Sequence, residues 1–150
     1  ATLLASYEGS QDCPELAGLR PIEDILAGHQ SAGRFEPQLW QLLRIQGKAA
    51  GRVLLAPLFD GQSAELVYMG VRPEFRRCGV GSALLQHAIQ QCQRRRIGRL
   101  TLAVDDRNEP AKRLYARFSF VPMARRDAYL YRWPQVSTER LEAGQFGGTA

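Results

Sequence analysis

From Arg76 to Ser82 the chain reads Arg-Arg-Cys-Gly-Val-Gly-Ser, immediately ahead of a long helical pattern. Two glycines with one residue between them let the backbone approach a ligand closely. The first N–H groups of the helix then point at that ligand, with the positive end of the helix dipole behind them. Such a stretch can cradle a diphosphate. It lacks the third glycine of a dinucleotide fingerprint, and no Gly-Lys-Ser/Thr of a nucleoside-triphosphate loop follows. Because Gly-x-Gly also serves ordinary tight turns, its meaning depends on what surrounds it.

Four further residues invite chemistry. Glu65 opens an otherwise apolar run to Val71; burial there would raise its pKa toward neutrality and suit it to accept a proton, whereas a solvated strand end would leave it inert. Asn108 and Tyr115 read locally as the N-cap and the apolar-face aromatic of one short helix. Cys78 sits beside two arginines at a helix start, a setting that acidifies thiols. Cys13, Cys78 and Cys92 share no metal-ligand spacing, and His29 and His87 add too few ligands for a zinc cage, so no metal is expected.

A chain of 150 residues is long enough for one domain with one core, and 45% hydrophobic with 23% charged residues is globular composition. No window approaches the 18 or so consecutive apolar residues of a membrane span. The first basic residue is Arg20, so the visible N-terminus has no charged region of a secretory signal, although a chain beginning at Ala1 can have been trimmed. The cytoplasm is the expected compartment. Twenty Lys and Arg against fifteen Asp and Glu leave +5, much of it between Arg72 and Arg99, which points to an anionic partner. Arg94-Arg95-Arg96 reads as a solvated helix end at the negative pole, and the aromatics do not interleave with it as on a single-strand nucleic-acid platform.

These residues need elements to hold them. Thr2 to Tyr7 reads as a strand, and Pro21 to Gln30 as a short amphipathic helix closed by Gly33. Leu39–Ile45, Arg52–Leu58 and Glu65–Val71 read as a three-stranded antiparallel meander, with turn chemistry at Gln46-Gly47-Lys48 and Asp60-Gly61-Gln62-Ser63. Val80, Leu84, Leu85, Ala88, Ile89 and Cys92 form a stripe about 100° wide on the long helix Gly79–Arg95. Leu100, Leu102 and Val104 then mark a strand parallel to its neighbour through a right-handed crossover. Asn108-Glu109-Pro110 starts the last helix, with strands expected at Phe118–Met123 and Ala128–Trp133. The reading is one α/β (α+β) domain over 1–136 with a mixed, mostly antiparallel sheet, and a tail over 137–150 expected to fray.

In this context Val71-Arg72-Pro73-Glu74-Phe75-Arg76-Arg77-Cys78-Gly79-Val80-Gly81 resembles the acetyl-CoA signature of the GNAT superfamily of N-acetyltransferases, in which Gln or Arg, two variable residues, Gly, one variable residue and Gly or Ala open the long helix. Asn108 to Phe120 resembles the second family signature, Asn-x-x-Ala-x-x-Leu-Tyr-x-x-x-Gly-Phe, with Ser119 in place of the usual Gly. The specific likeness covers Glu65 to Val121. It implies direct transfer of an acetyl group from acetyl-CoA to a primary amine of a small molecule or protein, without a metal.

The resemblance makes Tyr115 the general acid for the departing thiolate and Glu65 the base that takes the amine proton. Asn108 would contact the pantetheine arm or a water near it. Arg76, Arg77, Cys78, Gly79, Val80, Gly81 and Ser82 would hold the diphosphate; the position of Cys78 is variable in the family, so no covalent role is implied. Gly70 is expected to mark a bulge or splay that frees backbone groups of Met69 and Val71 for the pantetheine amides, one N–H polarising the thioester carbonyl. Two rival readings keep part of this: a CoA-binding regulatory module of the same fold, and a nucleic-acid-binding domain driven by the charge. No membrane partner is expected. An open edge at the last strand would allow pairing with a second copy across a two-fold.

Overall fold

The computed structural model describes residues 21–129 together with Gly9, Asp12, Pro14, Leu19 and Tyr131. Among these, α1 (Ile22–Gln30) is followed by β1 (Trp40–Ile45), β2 (Lys48–Pro57), β3 (Ser63–Val71), α2 (Val80–Arg94), β4 (Arg99–Leu102) and α3 (Glu109–Arg117). The sheet order is β1-β2-β3-β4. The first two pairings are antiparallel and β3 runs parallel to β4, as the strand–helix–strand pattern predicts. Gln46 and Gly47 both have positive φ, 49° and 75°, which is what a two-residue hairpin between Ile45 and Lys48 requires. At the β2–β3 turn, Asp60 Oδ1 accepts the N–H groups of Gln62 and Ser63 at 2.9 and 2.8 Å, and a hydrogen bond from the Ser63 side chain, with these two, holds its carboxyl below its ordinary pKa.

One face of the sheet carries the core. Val80, Leu84, Leu85, Ala88 and Cys92 of α2 are buried with Val53 and Leu55 of β2 and Ala64 and Leu66 of β3. Removing a Leu or Val side chain of this kind from water stabilises by about 1.5–3 kcal/mol. The other face is more lightly covered: no residue of α1 is fully buried, and the His29 ring lies 5.6 Å from that of Tyr68.

The bulge is where strict alternation fails. Leu54 pairs with Tyr68 but the next residue, Leu55, pairs with Leu66, so Val67 is the extra residue. Before it, Ala64 and Leu66 face α2; after it, Met69 and Val71 do. An extra residue shifts a period-two pattern by one, which is how even and odd positions come to share a face. The bulge therefore falls at Val67 and not at Gly70, which pairs regularly with Arg52.

Other sequence expectations need correction. α1 ends at Gln30 as expected, but Ser31 is its C-cap, and Gly33 instead packs against β2, where a Cβ would meet Pro57 O at 2.8 Å. β4 ends at Leu102, short of Val104. Phe118–Met123 is no strand: Ser119 takes φ 64°, the N–H groups of Ser119 and Phe120 turn back to Ala116 O and Tyr115 O, and Val121 and Met123 are exposed with no partner strand among the described residues. Ala128, Tyr129 and Tyr131 are likewise outside any strand, while the rest of the Ala128–Trp133 stretch, the Thr2–Tyr7 strand and the tail from Ser137 lie outside the described residues.

Candidate active site

The sheet opens at β3. Its ladder with β2 continues to Val71, but its ladder with β4 stops where Leu66 meets Leu102. From Val67 to Val71 the β4 side of β3 has no strand partner among the described residues. Met69, Gly70 and Val71 lie on this released stretch, so the splay expected there exists, with the bulge at its start.

The chain then enters the Arg76–Ser82 cradle. Arg77 and Gly79 both have left-handed backbones, φ 61° and 78°, and Gly79 is the N-cap of α2. No side chain caps the helix, and the first backbone bond into the cap is Ala83 N–H to Gly79 O at 3.0 Å. The preceding N–H groups are those an anion would find. Val80 is buried in the core and can offer only its backbone. Arg76 is turned inward: Nε donates to Val71 O at 3.2 Å and Nη1 to Gly9 O at 3.3 Å, fastening the cradle to the end of β3. Arg77 is exposed. Cys78 is exposed and its Sγ lies 3.4 Å from Arg76 O, with no acidic or basic side chain among the described residues bonded to it.

Gly81 joins the parts. A Cβ there would stand 3.3 Å from Leu114 Cδ2 and 4.0 Å from Val71 Cγ2, so the start of α2, the end of β3 and the middle of α3 converge on it. Tyr115, next to Leu114, packs its ring against Phe120 at 5.8 Å. Burial, with the charge of Asp12 as a lesser cause, pushes the Tyr115 hydroxyl up to about 12. Asp12 accepts the Asp105 N–H at 2.7 Å across 93 residues of sequence, and no local pattern marks it. Asn108 caps α3, its Oδ1 accepting Ala111 N–H at 3.2 Å. That bond leaves the amide N–H₂ free to serve a ligand.

Glu65 is apart from this group. It is the third residue of β3, paired with Ala56 and Thr101, and half-buried on the face opposite α2. Tyr115 packs against the α2 face. The two candidate proton carriers thus lie on opposite faces of the sheet, with Glu65 two residues before the opening. An open cleft of about 380 Å³ between β1 and α2, lined by Gln41, Leu42, Leu43, Val53, Ala83, Leu84 and His87, shares no residue with this site. Among the described residues no cluster of His, Cys, Asp and Glu could hold a metal, and no helix is long and apolar enough to cross a membrane.

Residues 6–120 match the Acetyltransferase (GNAT) family. The chain belongs to that family. This GNAT chain is 31% identical over 111 residues to a mycothiol acetyltransferase of Beutenbergia cavernae, covering 71% of the chain and 36% of the relative. Among solved structures it is similar to the ribosomal-protein-S18-alanine N-acetyltransferase of Escherichia coli, with TM-score 0.57 and 28% identity over 68% of this chain and 62% of that one. It shares its fold with a Mycobacterium tuberculosis protein crystallised in complex with CoA, with TM-score 0.51, 19% identity, and 58% and 51% of the two chains covered. The GNAT chain spans only 36% to 44% of the length of curated relatives it matches.

Proposed function

We propose that this chain transfers the acetyl group of acetyl-CoA to a primary amine by direct attack. The observation that carries the reading is the convergence at Gly81 of an uncapped helix start, a strand edge released from its neighbour and the helix bearing Tyr115. Anionic phosphates suit the α2 N-terminus, and an extended arm with amide groups suits the open edge of Met69, Gly70 and Val71.

In the reaction the amine nitrogen attacks the thioester carbonyl carbon, and the carbonyl electrons move to oxygen, where a β3 N–H can receive the charge. Collapse breaks the C–S bond and the electron pair leaves with sulfur. The amine proton passes to Glu65, directly or through water, while Tyr115 serves the sulfur from the other side of the sheet. A hydroxyl near pKa 12 keeps its proton at every physiological pH. Against a thiolate of ordinary pKa near 8.5, complete transfer from it is uphill, so its larger contribution is a hydrogen bond to the charge developing on sulfur.

The test is release of free CoA thiol from acetyl-CoA in the presence of a panel of primary amines, with amide formation followed by mass. Amine-dependent thiol release supports the reading. Tight CoA binding without acetylation of any amine would favour the regulatory module instead.

A further inference from the structure

Two buried nitrogens are left without partners on the side of the sheet away from α2. Among the described residues, the only enclosed side-chain nitrogen or oxygen atoms lacking a hydrogen bond are Arg52 Nε and Arg72 Nε. Arg52 pairs with Leu42 on one side and Gly70 on the other, neither of which offers it an acceptor side chain. It alternates with Gly51 and Val53, which face α2, and therefore points to the opposite face. Arg72 follows Val71, whose side chain also faces α2, and is anchored by its N–H to Ala50 O at 2.9 Å. It thus lies two residues past Gly70, diagonal to Arg52 on the same face. Its Nη2 holds Glu74 at 2.6 Å; among the described residues Arg52 has no such counter-ion.

A guanidinium has five donors and no acceptor, and an enclosed donor left unbonded is unfavourable. Two cations at diagonal positions also repel. An oxyanion held by the Arg52 fork would supply the counter-ion it lacks and offset the repulsion from Arg72. Glu65 lies on this face too, opposite Ala56, four residues along β2 from Arg52, about 13 Å away at strand rise. The face therefore carries Glu65 at one end and, at the other, Arg52 without a counter-ion among the described residues, beside the Arg72–Glu74 pair.

We propose that the amine acceptor carries a carboxylate several bonds from its amino group, held by Arg52 with Arg72 beside it. The assignment rests on the acetyl-transfer reading above. Its test compares β-alanine, γ-aminobutyrate and ε-aminocaproate with their neutral carboxamides. The wild type should favour the acid over the amide in kcat/KM by at least about tenfold at the best chain length, the loss expected when a charge-assisted contact is removed. Arg52→Gln should bring the ratio to near one without changing CoA affinity, and Arg72→Gln should lower it in part. Arg52→Lys, which keeps the charge and loses the fork, provides a second variant should Arg52→Gln fold poorly, and should give an intermediate ratio. Equal use of acid and amide by a turning-over wild type overturns the proposal. If no amine is acetylated, the acetyl-transfer reading fails. Calorimetric titration of glutarate against glutaramide, with CoA present, then decides the site independently: glutarate binding lost in Arg52→Gln sustains it, and no preference overturns it.

Discussion

Tyr115 carries two consequences of its burial. Tyr115→Phe keeps the ring against Phe120 and removes only the hydroxyl, so acetyl-CoA affinity should change little while kcat falls at least about tenfold; steady-state turnover and a binding titration on one preparation check both. Unchanged kcat would take the hydroxyl out of the reaction. The second consequence concerns stability. The folded pKa of about 12 exceeds the ordinary 10.0, so the unfolded chain releases this proton first as pH rises. The associated stability is complete below pH about 10 and is lost between about 10 and 12, on the order of 2 kcal/mol. Urea unfolding across that range should show a steeper decline for the wild type than for Tyr115→Phe. For Glu65, the expected signature lies in the rate: Glu65→Gln should slow turnover strongly at neutral pH and recover part of it as the amine deprotonates unaided. A loss equal at every pH, with weaker CoA binding, would mark a structural role.

Among the elements, the end of α3 is the most informative. Ser119 occupies the left-handed position that the family gives to glycine, and holds φ 64° with its N–H bonded back to Ala116 O. The turn survives the substitution at a cost, so Ser119→Gly should stabilise the protein by roughly 0.5–1 kcal/mol with activity unchanged, measured by denaturant midpoint. The left-handed turn was not legible from residue type, because serine does not announce positive φ. The three meander strands and α2 were legible, since their apolar periods are those of the buried faces. Val67 was not: the register shift depends on Leu54 and Leu55 of a different strand, and Gly70 offered a more conspicuous but incorrect place for the bulge. The strands expected after Phe118 failed for a related reason. Alternating Val121 and Met123 satisfy a strand pattern, but the described residues supply no neighbour for them to pair with. The cradle could be read from its glycines, whereas Asp12, Arg52 and Arg72 gain their meaning only from contacts between distant segments.

For the molecule as a whole, the net +5 is more structured than a diffuse basic surface. Arg95 is tied to Glu36 at 2.5 Å, Arg99 to Asp60, Arg107 to Asp105 and Arg72 to Glu74, while at the cradle Arg77 is exposed beside the N–H groups that open α2.

The gap between β3 and β4 has one further consequence, for the protein when it is empty. A bare strand edge accepts any extended backbone, including that of another molecule of the same chain. Acetyl-CoA would therefore act as a protective strand cap as well as a substrate, and its departure would reopen an aggregation seam. On gentle heating, light scattering of the free protein should grow with protein concentration. Saturating CoA should suppress it, and a Met69→Pro variant, which blunts the edge by deleting one donor, should aggregate less when empty. Scattering indifferent to both changes would mean that the seam is closed by other means.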